Sequence, residues 1–254
     1  MFFTYFLTAI TATILGSLAG LGGGVIIKPV LDAFGHYDLS TVGILSSITV
    51  FFMAAVSTFK QIKSGFKVET SMIVLSLGSI LGGGIGSKIF DLFLTFFSDQ
   101  STGKGIQAII IAVLLLGVLF KNQLPKYSIK NKALIFTAGL FLGTIASFLG
   151  IGGGPINVAI LIMLFSFTTK EAAVSSVFII LLSQLSKILL ITINTGFAAY
   201  NLEMLPFMVV GGIIGGLIGA QLNTKLESTH IEKIFNISII LIIFINIFNA
   251  YSVF

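Results

Sequence analysis

The sequence Gly-Leu-Gly-Gly-Gly at residues 20–24 decides how this chain folds, together with a second copy, Gly-Ile-Gly-Gly-Gly, at residues 150–154. Each copy follows an apolar run that is long enough to cross, or nearly cross, a bilayer. Because glycine lacks a Cβ atom, three glycines in a row break a helix and let a ligand or another backbone come close. Irregular backbone inside a bilayer is tolerated only where protein surrounds it or where it lines a polar cavity. The two copies therefore mark either a tight packing point or a binding site.

The composition predicts an all-α polytopic membrane protein. Of the 254 residues, 56% are hydrophobic and 9% are charged, with a mean hydropathy of +1.11. An average soluble domain has roughly a quarter charged residues. The apolar runs are continuous rather than alternating, which favours membrane helices over a barrel. The +5 net charge comes from lysines alone, which in a membrane protein orient the loops rather than bind nucleic acid.

The apolar segments fall into two similar halves. The glycine copies, two serine pairs and two rows of four-spaced glycines recur in the same order at an offset of about 130 residues, which indicates an internal duplication. We predict a membrane repeat at residues 1–122, a basic cytoplasmic linker at 123–132 and a second membrane repeat at 133–254. The predicted segments are 1–19, 25–35, 41–59, 70–90 and 105–120, then 133–149, 155–167, 171–191, 204–222 and 231–249.

The lysines favour inverted over parallel repeats. With four crossings in each half, Lys88, Lys104, Lys170, Lys225 and Lys233 lie opposite the linker. If each half makes an odd number of crossings, Lys225 and Lys233 join the linker side, which strengthens the lysine bias that sets orientation. The short segments after the glycines do not reach the roughly 20 residues of a full span. We therefore expect them to be half-helices that make a full crossing only together with the glycine breaks.

The glycine breaks are the first candidate site. Discontinuous helices in both halves of a transporter point to its binding site. The free N–H groups and the dipole at the start of a half-helix favour an anion. The alternative is that the breaks are only tight turns, but their recurrence in both halves favours a site. The candidate substrate-binding glycines are Gly22, Gly23, Gly24, Gly152, Gly153 and Gly154.

Several polar side chains join these glycines as substrate-binding candidates. Serines near the start of two long segments offer hydroxyl donors to an oxyanion, or return a hydrogen bond to the preceding helical turn. Lys28 follows the first break, and a cation inside a membrane is a functional-site hypothesis by default. Lys187 is an alternative cation that could instead extend to the interface. The remaining candidates are Ser46, Ser47, Ser175, Ser176 and Asn157, with Gln184 as a weaker one.

The four-spaced glycine rows predict close helix packing rather than a site, because small residues at this spacing let two membrane helices approach. The rows are Gly78, Gly82 and Gly86, and Gly211, Gly215 and Gly219.

Enzymatic readings find little support in the sequence. His36 and His230 lie outside any metal-ligand or protease pattern, and no phosphate-binding loop is present. Cysteine is absent, which excludes disulfides and thiolate metal sites. We therefore expect no catalytic residue, no metal site and no cofactor, with a small anionic substrate and the lipid bilayer as partners and no nucleic acid.

The glycine motifs and their surroundings resemble a known family. An apolar helix ending in Gly-Leu-Gly-Gly-Gly with Pro29 five residues later, and a second copy reading Gly-Ile-Gly-Gly-Gly-Pro, are similar to the signature of the sulfite exporter TauE/SafE permeases. The hydroxyl pair after each short segment also resembles that family. The resemblance implies transport of sulfite, thiosulfate or organosulfonate-like anions. The second copy departs from the first, since Ala159 aligns with Pro29 and Pro155 directly follows the glycines.

The sequence thus predicts a multi-pass cell-membrane protein that works as a secondary transporter by alternating access, with a small sulfur-containing anion held at the paired glycine breaks. A channel-like anion pathway and a membrane partner protein without its own substrate are the alternatives.

Overall fold

The chain folds into a bundle of helices. The computed structural model describes residues 2–95, 100–123 and 125–253, and within them ten α-helices and one short 3-10 turn form without any strand. Eight of these helices are long and apolar enough to cross a membrane, which confirms the all-α polytopic class. The helices are α1 (Phe2–Ala19), α2 (Gly24–Phe34), α3 (Leu39–Lys63), α4 (Thr70–Thr95), α5 (Gln100–Leu119), α6 (Lys132–Leu149), α7 (Gly154–Phe165), α8 (Thr169–Asn194), α9 (Leu205–Lys225) and α10 (Ser228–Tyr251).

The glycine copies interrupt the helices where the sequence predicts. Gly23 and Gly153, which immediately precede α2 and α7, have φ angles of 68° and 74°. Side chains rarely adopt this left-handed conformation, so glycine is needed for the chain to turn there. Three helices that start outside the breaks are capped by side chains instead, at Asp38 before α3, Asn131 before α6 and Thr168 before α8.

Each glycine break reverses the chain, so that α1–α2 and α6–α7 form two re-entrant hairpins. In the first hairpin, Tyr5 near the start of α1 is hydrogen-bonded over 2.9 Å to His36, just after the end of α2. In the second hairpin, the linker that leads into α6 donates backbone hydrogen bonds to the carbonyl oxygens of Met163 and Leu164 at the end of α7. The short helices therefore return to the face from which their hairpin entered, and do not complete a crossing.

The two hairpins enter from opposite faces of the bundle. The face that carries the linker is called the linker face, and the face that carries the start of α1 is called the terminal face. Lys170 lies at the start of α8, directly after α7 has returned to the linker face. Its ammonium donates to the carbonyl oxygens of Thr224 and Leu226, over 3.1 and 2.8 Å, which places the end of α9 on the same face. The expectation that Lys170 lies opposite the linker was wrong, because α7 returns to the linker face before α8 begins.

The glycine rows pack each half against the first helix of the other half. Positions for a Cβ on Gly78, Gly82 and Gly86 of α4 coincide with carbonyl oxygens of α6, which confirms the packing role of this row. The second row, on α9, meets the backbone of α1 in the same way, and both pairs of helices run parallel. These directions agree with inverted repeats, although the duplication itself stays a prediction.

Substituting Gly82 by alanine is expected to lower the melting temperature strongly, because the new methyl group would collide with the Leu140 carbonyl oxygen. Overpacking of this kind costs about 1–3 kcal/mol or more. Gly117→Ala on α5 is the matched control, since no atom lies within 4 Å of its Cβ position and alanine favours a helix. Thermal unfolding in detergent measures both variants. Equal melting temperatures for the two would contradict the packing.

Candidate functional site

The tips of the two hairpins contact each other in the middle of the bundle. A Cβ atom on Gly154 would collide with the carbonyl oxygen of Leu21, and one on Gly24 would stand 3.1 Å from that of Ile151. The tip residues on both sides of this contact are buried, apart from the partly exposed Gly150. The two breaks therefore meet backbone to backbone, with no room for a side chain between them.

One serine of each predicted pair contacts the tips. The Ser176 hydroxyl donates to the carbonyl oxygen of Gly20 over 2.7 Å and to that of Gly154 over 3.3 Å, so it bridges the two hairpins. The Ser46 hydroxyl oxygen lies 3.2 Å from the Cβ position of Gly24. Ser176 lies about two turns into the long helix α8, and the tips contact this helix between Ala173 and Gln184, which places them inside the bundle.

The other serine of each pair makes a local bond. The Ser47 hydroxyl donates to the Gly43 carbonyl oxygen over 2.7 Å, and the Ser175 hydroxyl donates to the Glu171 carbonyl oxygen over 2.8 Å. This is the return of a hydrogen bond to the preceding helical turn. In this conformation both hydroxyl hydrogens are therefore already used within their own helices.

A cavity of about 460 Å³ lies between α3, α4, α6 and α8. Its rim is formed at the terminal-face ends of α4 and α8, with Asp91 and Asn194, and by the loop after α8, with Tyr200. Its inner wall is polar and carries Lys28 and Lys187, and Lys88 of α4 lines the cavity nearer the rim. The polar wall and backbone groups are Lys28, Gln107, Ser147, Gly150 and Lys187.

Lys28 is held at the inner wall by a chain of contacts. Its side chain is 3% exposed, and its ammonium donates to the Gln107 amide oxygen over 2.6 Å. The Gln107 amide nitrogen donates in turn to the Phe148 carbonyl oxygen over 2.9 Å. The Lys28 Cε atom lies 3.3 Å from the Cβ position of Gly150, which brings the cation to the second glycine copy. Asp32, one turn further along α2, places a carboxylate oxygen 4.0 Å from the ammonium.

Lys187 reaches the same cavity from α8. The cavity lining therefore carries three cations from different helices, because Lys88 of α4 joins Lys28 and Lys187. Within the described residues, the carboxylate in salt-bridge range of one of them is Asp32, beside Lys28. A positive charge in surroundings of low dielectric attracts an anion more strongly than it does in water. The arrangement favours a small anion, with Gln107 and Ser147 as polar groups nearby.

Among the predicted substrate-binding residues, Lys28 lines the cavity in the described part of the chain. The other predicted residues lie behind the cavity wall, at or near the hairpin tips. Ser46 and Ser176 contact the tips, whereas Ser47 and Ser175 bond within their own helices. The glycines of the two buried tips are Gly22, Gly23, Gly24, Gly152, Gly153 and Gly154. Asn157 is 3% exposed, and its amide oxygen lies 3.4 Å from the Cβ position of Gly153. Gln184 packs against the other side of the second tip, with its nitrogen 3.1 Å from the Cβ position of Gly152.

Three residues of the cavity region were missed from the sequence. Gln107 is an isolated polar residue in an apolar helix, which is a usable signal in a membrane segment. Asp32 follows Lys28 by four residues, which is the spacing of an ion pair on a helix. Ser147 carries no signal of its own, because a hydroxyl in a membrane helix often bonds only to its own backbone.

Comparison with known proteins settles the family. The family model described as "Sulfite exporter TauE/SafE" matches residues 5–245. The chain belongs to the sulfite exporter TauE/SafE family. The recognition made from the glycine motifs is thereby confirmed, and the chain is a multi-pass membrane protein of a transporter family.

Two curated relatives of this TauE/SafE chain carry transporter names. "Probable membrane transporter protein YunE" from Bacillus subtilis (strain 168) is 29% identical, over 90% of each chain. "Probable membrane transporter protein MJ0441" from Methanocaldococcus jannaschii is 26% identical, over 86% of this chain and 85% of the relative. No solved structure matches the chain.

Proposed function

We propose that the protein is a secondary transporter of small sulfur-containing anions, such as sulfite, thiosulfate or organosulfonates, and that it works by alternating access. The observation that carries the proposal is a cavity lined by three lysines, Lys28, Lys88 and Lys187, that leads from one face to Gly150 at the second hairpin tip. Placing a lysine inside a membrane costs about 2.5–3.5 kcal/mol on insertion scales, so such a residue marks a functional site by default. The family model, named for a sulfite exporter, supports the substrate class.

The charges of the cavity suit an anion that carries one or two negative charges. A unit charge 4 Å from a lysine ammonium gains about 4 kcal/mol at an effective dielectric constant of 20. Asp32 offsets part of the charge of Lys28, while Lys187 and Lys88 add two further cations and Asp91 on the rim adds one carboxylate. At about 460 Å³ the cavity has room for a sulfur oxyanion with water or for a short organosulfonate.

The lysines orient the cavity relative to the cell. The ends of α3 and α9 and the whole linker carry lysines on the linker face, and cytoplasmic loops of membrane proteins are enriched in lysine. We take the linker face as cytoplasmic. The cavity then opens away from the cytoplasm, and the bundle is in an outward-open state.

A hydrogen-bonded polar seam closes the linker face. It consists of Ser17, Ser57, Gln61 and Asn223, which are each at most 5% exposed. The Ser17 and Ser57 hydroxyls are 2.7 Å apart, and the Gln61 amide donates to the Asn223 amide oxygen over 3.3 Å. The seam lies between α1, α3 and α9, which the predicted duplication pairs with the cavity helices α6, α8 and α4. The seam is thus the closed counterpart of the cavity, and its opening would expose the cytoplasmic side.

The glycine tips stand between the cavity and the polar seam. Gly150 lies on the cavity wall and Ser17 is near the end of α1, just before the first break. An anion beside Lys28 therefore meets the tip contact before it can pass to the linker face. We propose that Gly22, Gly23, Gly24, Gly152, Gly153 and Gly154, with Ser46, Ser47, Ser175, Ser176 and Asn157, form the substrate path when the tips separate.

Ligand-dependent thermal stabilisation tests the site. We expect sulfite, thiosulfate or methanesulfonate to raise the melting temperature of purified protein, because a ligand at 100 times its Kd stabilises by about 2.7 kcal/mol. Lys28→Ala should abolish the shift, since it removes the buried cation. Lys67→Ala, which removes a lysine from the loop between α3 and α4, should keep it. A shift that Lys28→Ala leaves unchanged would remove Lys28 from the site.

Counterflow in proteoliposomes separates the transport mechanisms. A carrier should show saturation and exchange of labelled anion against an excess of unlabelled anion. Flux without saturation or counterflow would favour the channel-like pathway. Failure to bind or move any of the three anions would favour a membrane partner protein without its own substrate.

A further inference from the structure

The carboxylate of Asp32 is buried next to the proposed anion site with incomplete pairing. Its Oδ1 atom is buried and has no hydrogen-bond partner in the described part of the chain. Its Oδ2 atom lies 4.0 Å from the Lys28 ammonium, which is beyond hydrogen-bonding distance. The side chain is 12% exposed, so a proton from the terminal face has access to it. The site therefore contains a carboxylate whose charge depends on Lys28.

From this geometry we propose that the protein moves its anion together with a proton, and that Asp32 carries the proton. The proposal rests on the proposed function, because it assumes that the anion binds at Lys28. An anion bound to the Lys28 ammonium neutralises the positive charge that otherwise compensates the Asp32 carboxylate. A buried carboxylate without a compensating charge is strongly disfavoured and becomes neutral by taking up a proton. The step converts a carboxylate and one proton into a carboxylic acid, and no other bond changes.

The other charged groups near Asp32 do not prevent an anion from replacing Asp32 as the partner of Lys28. The Lys104 ammonium on α5 donates to the Tyr37 carbonyl oxygen over 3.2 Å. Lys187 on α8 and Lys88 on α4 line the same cavity as Lys28. On the helices packed against α2, α1 brings Tyr5 with its partner His36, α3 begins at the cap Asp38, and α10 contributes the uncharged amide of Asn249 to the Pro29 carbonyl oxygen.

The coupling makes the anion and the proton cross the membrane in the same direction. Anion and proton enter together on the open face, because each favours binding of the other by the same factor. When the anion leaves on the other face, Lys28 pairs with Asp32 again and the proton is released there. A monoanion therefore crosses with one proton and no net charge.

A proton gradient across proteoliposomes tests the coupling. Methanesulfonate is the probe, because it stays a monoanion across the working pH range, and the membrane potential is clamped at zero. With the outside more acidic by one pH unit, we expect wild-type protein to accumulate methanesulfonate about tenfold, as one proton per anion requires. Addition of methanesulfonate without a gradient should acidify the lumen, as read by a trapped pH dye.

Three variants assign the coupling to Asp32. Asp32→Asn should keep methanesulfonate counterflow but lose the tenfold accumulation and the lumen acidification. Asp32→Glu, which keeps a titratable carboxyl group, should retain both. Glu203→Gln, in the exposed loop between α8 and α9 and outside the cavity lining, removes the same charge away from Lys28 and should behave like wild type.

The outcomes that overturn the proposal are distinct. Counterflow by wild-type protein without accumulation in the pH gradient overturns the proton coupling and leaves the proposed function standing. Accumulation by Asp32→Asn equal to wild type overturns the role of Asp32. Absence of counterflow in wild-type protein overturns the proposed function, and the coupling with it.

Discussion

Gly154→Ala is expected to prevent the two hairpins from packing together and to lower stability by at least about 3 kcal/mol. The added methyl group would occupy the position of the Leu21 carbonyl oxygen, which belongs to the other hairpin. A flexible side chain could turn away from such a clash, but the backbone of a glycine tip cannot move without displacing its whole hairpin. The Ser176 hydroxyl, which bonds to both tips, would also lose its geometry.

The two tips offer an internal comparison. A Cβ on Gly24 would stand 3.1 Å from the Ile151 carbonyl oxygen and 3.2 Å from the Ser46 hydroxyl, so a small shift accommodates it. We expect a cost near 1 kcal/mol for Gly24→Ala, at the low end of overpacking. Melting temperatures and size-exclusion profiles in detergent measure the stability of the two variants, Gly154→Ala and Gly24→Ala. If Gly154→Ala melts at or above Gly24→Ala, the tips do not meet as described.

The glycine breaks show how far the sequence predicts this fold. Their position follows from the motif and its recurrence, and the starts of α2 and α7 agree with the prediction. The direction of the chain after each break does not follow, because a stretch with free φ and ψ angles permits both continuation and reversal. The misplaced Lys170 is the direct consequence, since the face on which α8 begins depends on that direction.

The cavity shows the corresponding limit for the site. Lys28 could be identified because one cation in an apolar segment is conspicuous by itself. Lys187 could equally extend to the interface on sequence grounds, and only the arrangement of α8 beside α4 places it on the cavity wall. Gln107 acquires its meaning through its contact with Lys28, which depends on the packing of α5 against the first hairpin. Asp32 lies on the same helix as Lys28, so its spacing of four residues is a local signal. Contacts between distant segments have no local signature.

Cross-linking the polar seam is expected to stop transport. The Ser17 and Ser57 hydroxyls are 2.7 Å apart on α1 and α3, so the double variant Ser17→Cys, Ser57→Cys brings two thiols within reach of a disulfide. The chain has no cysteine of its own, so these are its only thiols. Under the proposed alternating access, α1 and α3 separate at the seam in every cycle. Oxidation should therefore reduce anion counterflow at least tenfold, and a reducing agent should restore it.

The controls determine whether the loss comes from the covalent link. Each single variant, Ser17→Cys and Ser57→Cys, should keep its counterflow after oxidation, because neither forms the intramolecular bridge. The bridged protein should still bind its anion from the terminal face, since the cavity with Lys28 and Lys187 lies on the other side of the tips. Retained thermal stabilisation by thiosulfate together with lost counterflow would distinguish a blocked cycle from a damaged site. Full counterflow in bridged protein would mean that the anion crosses without opening the seam, and the alternating-access mechanism would fail.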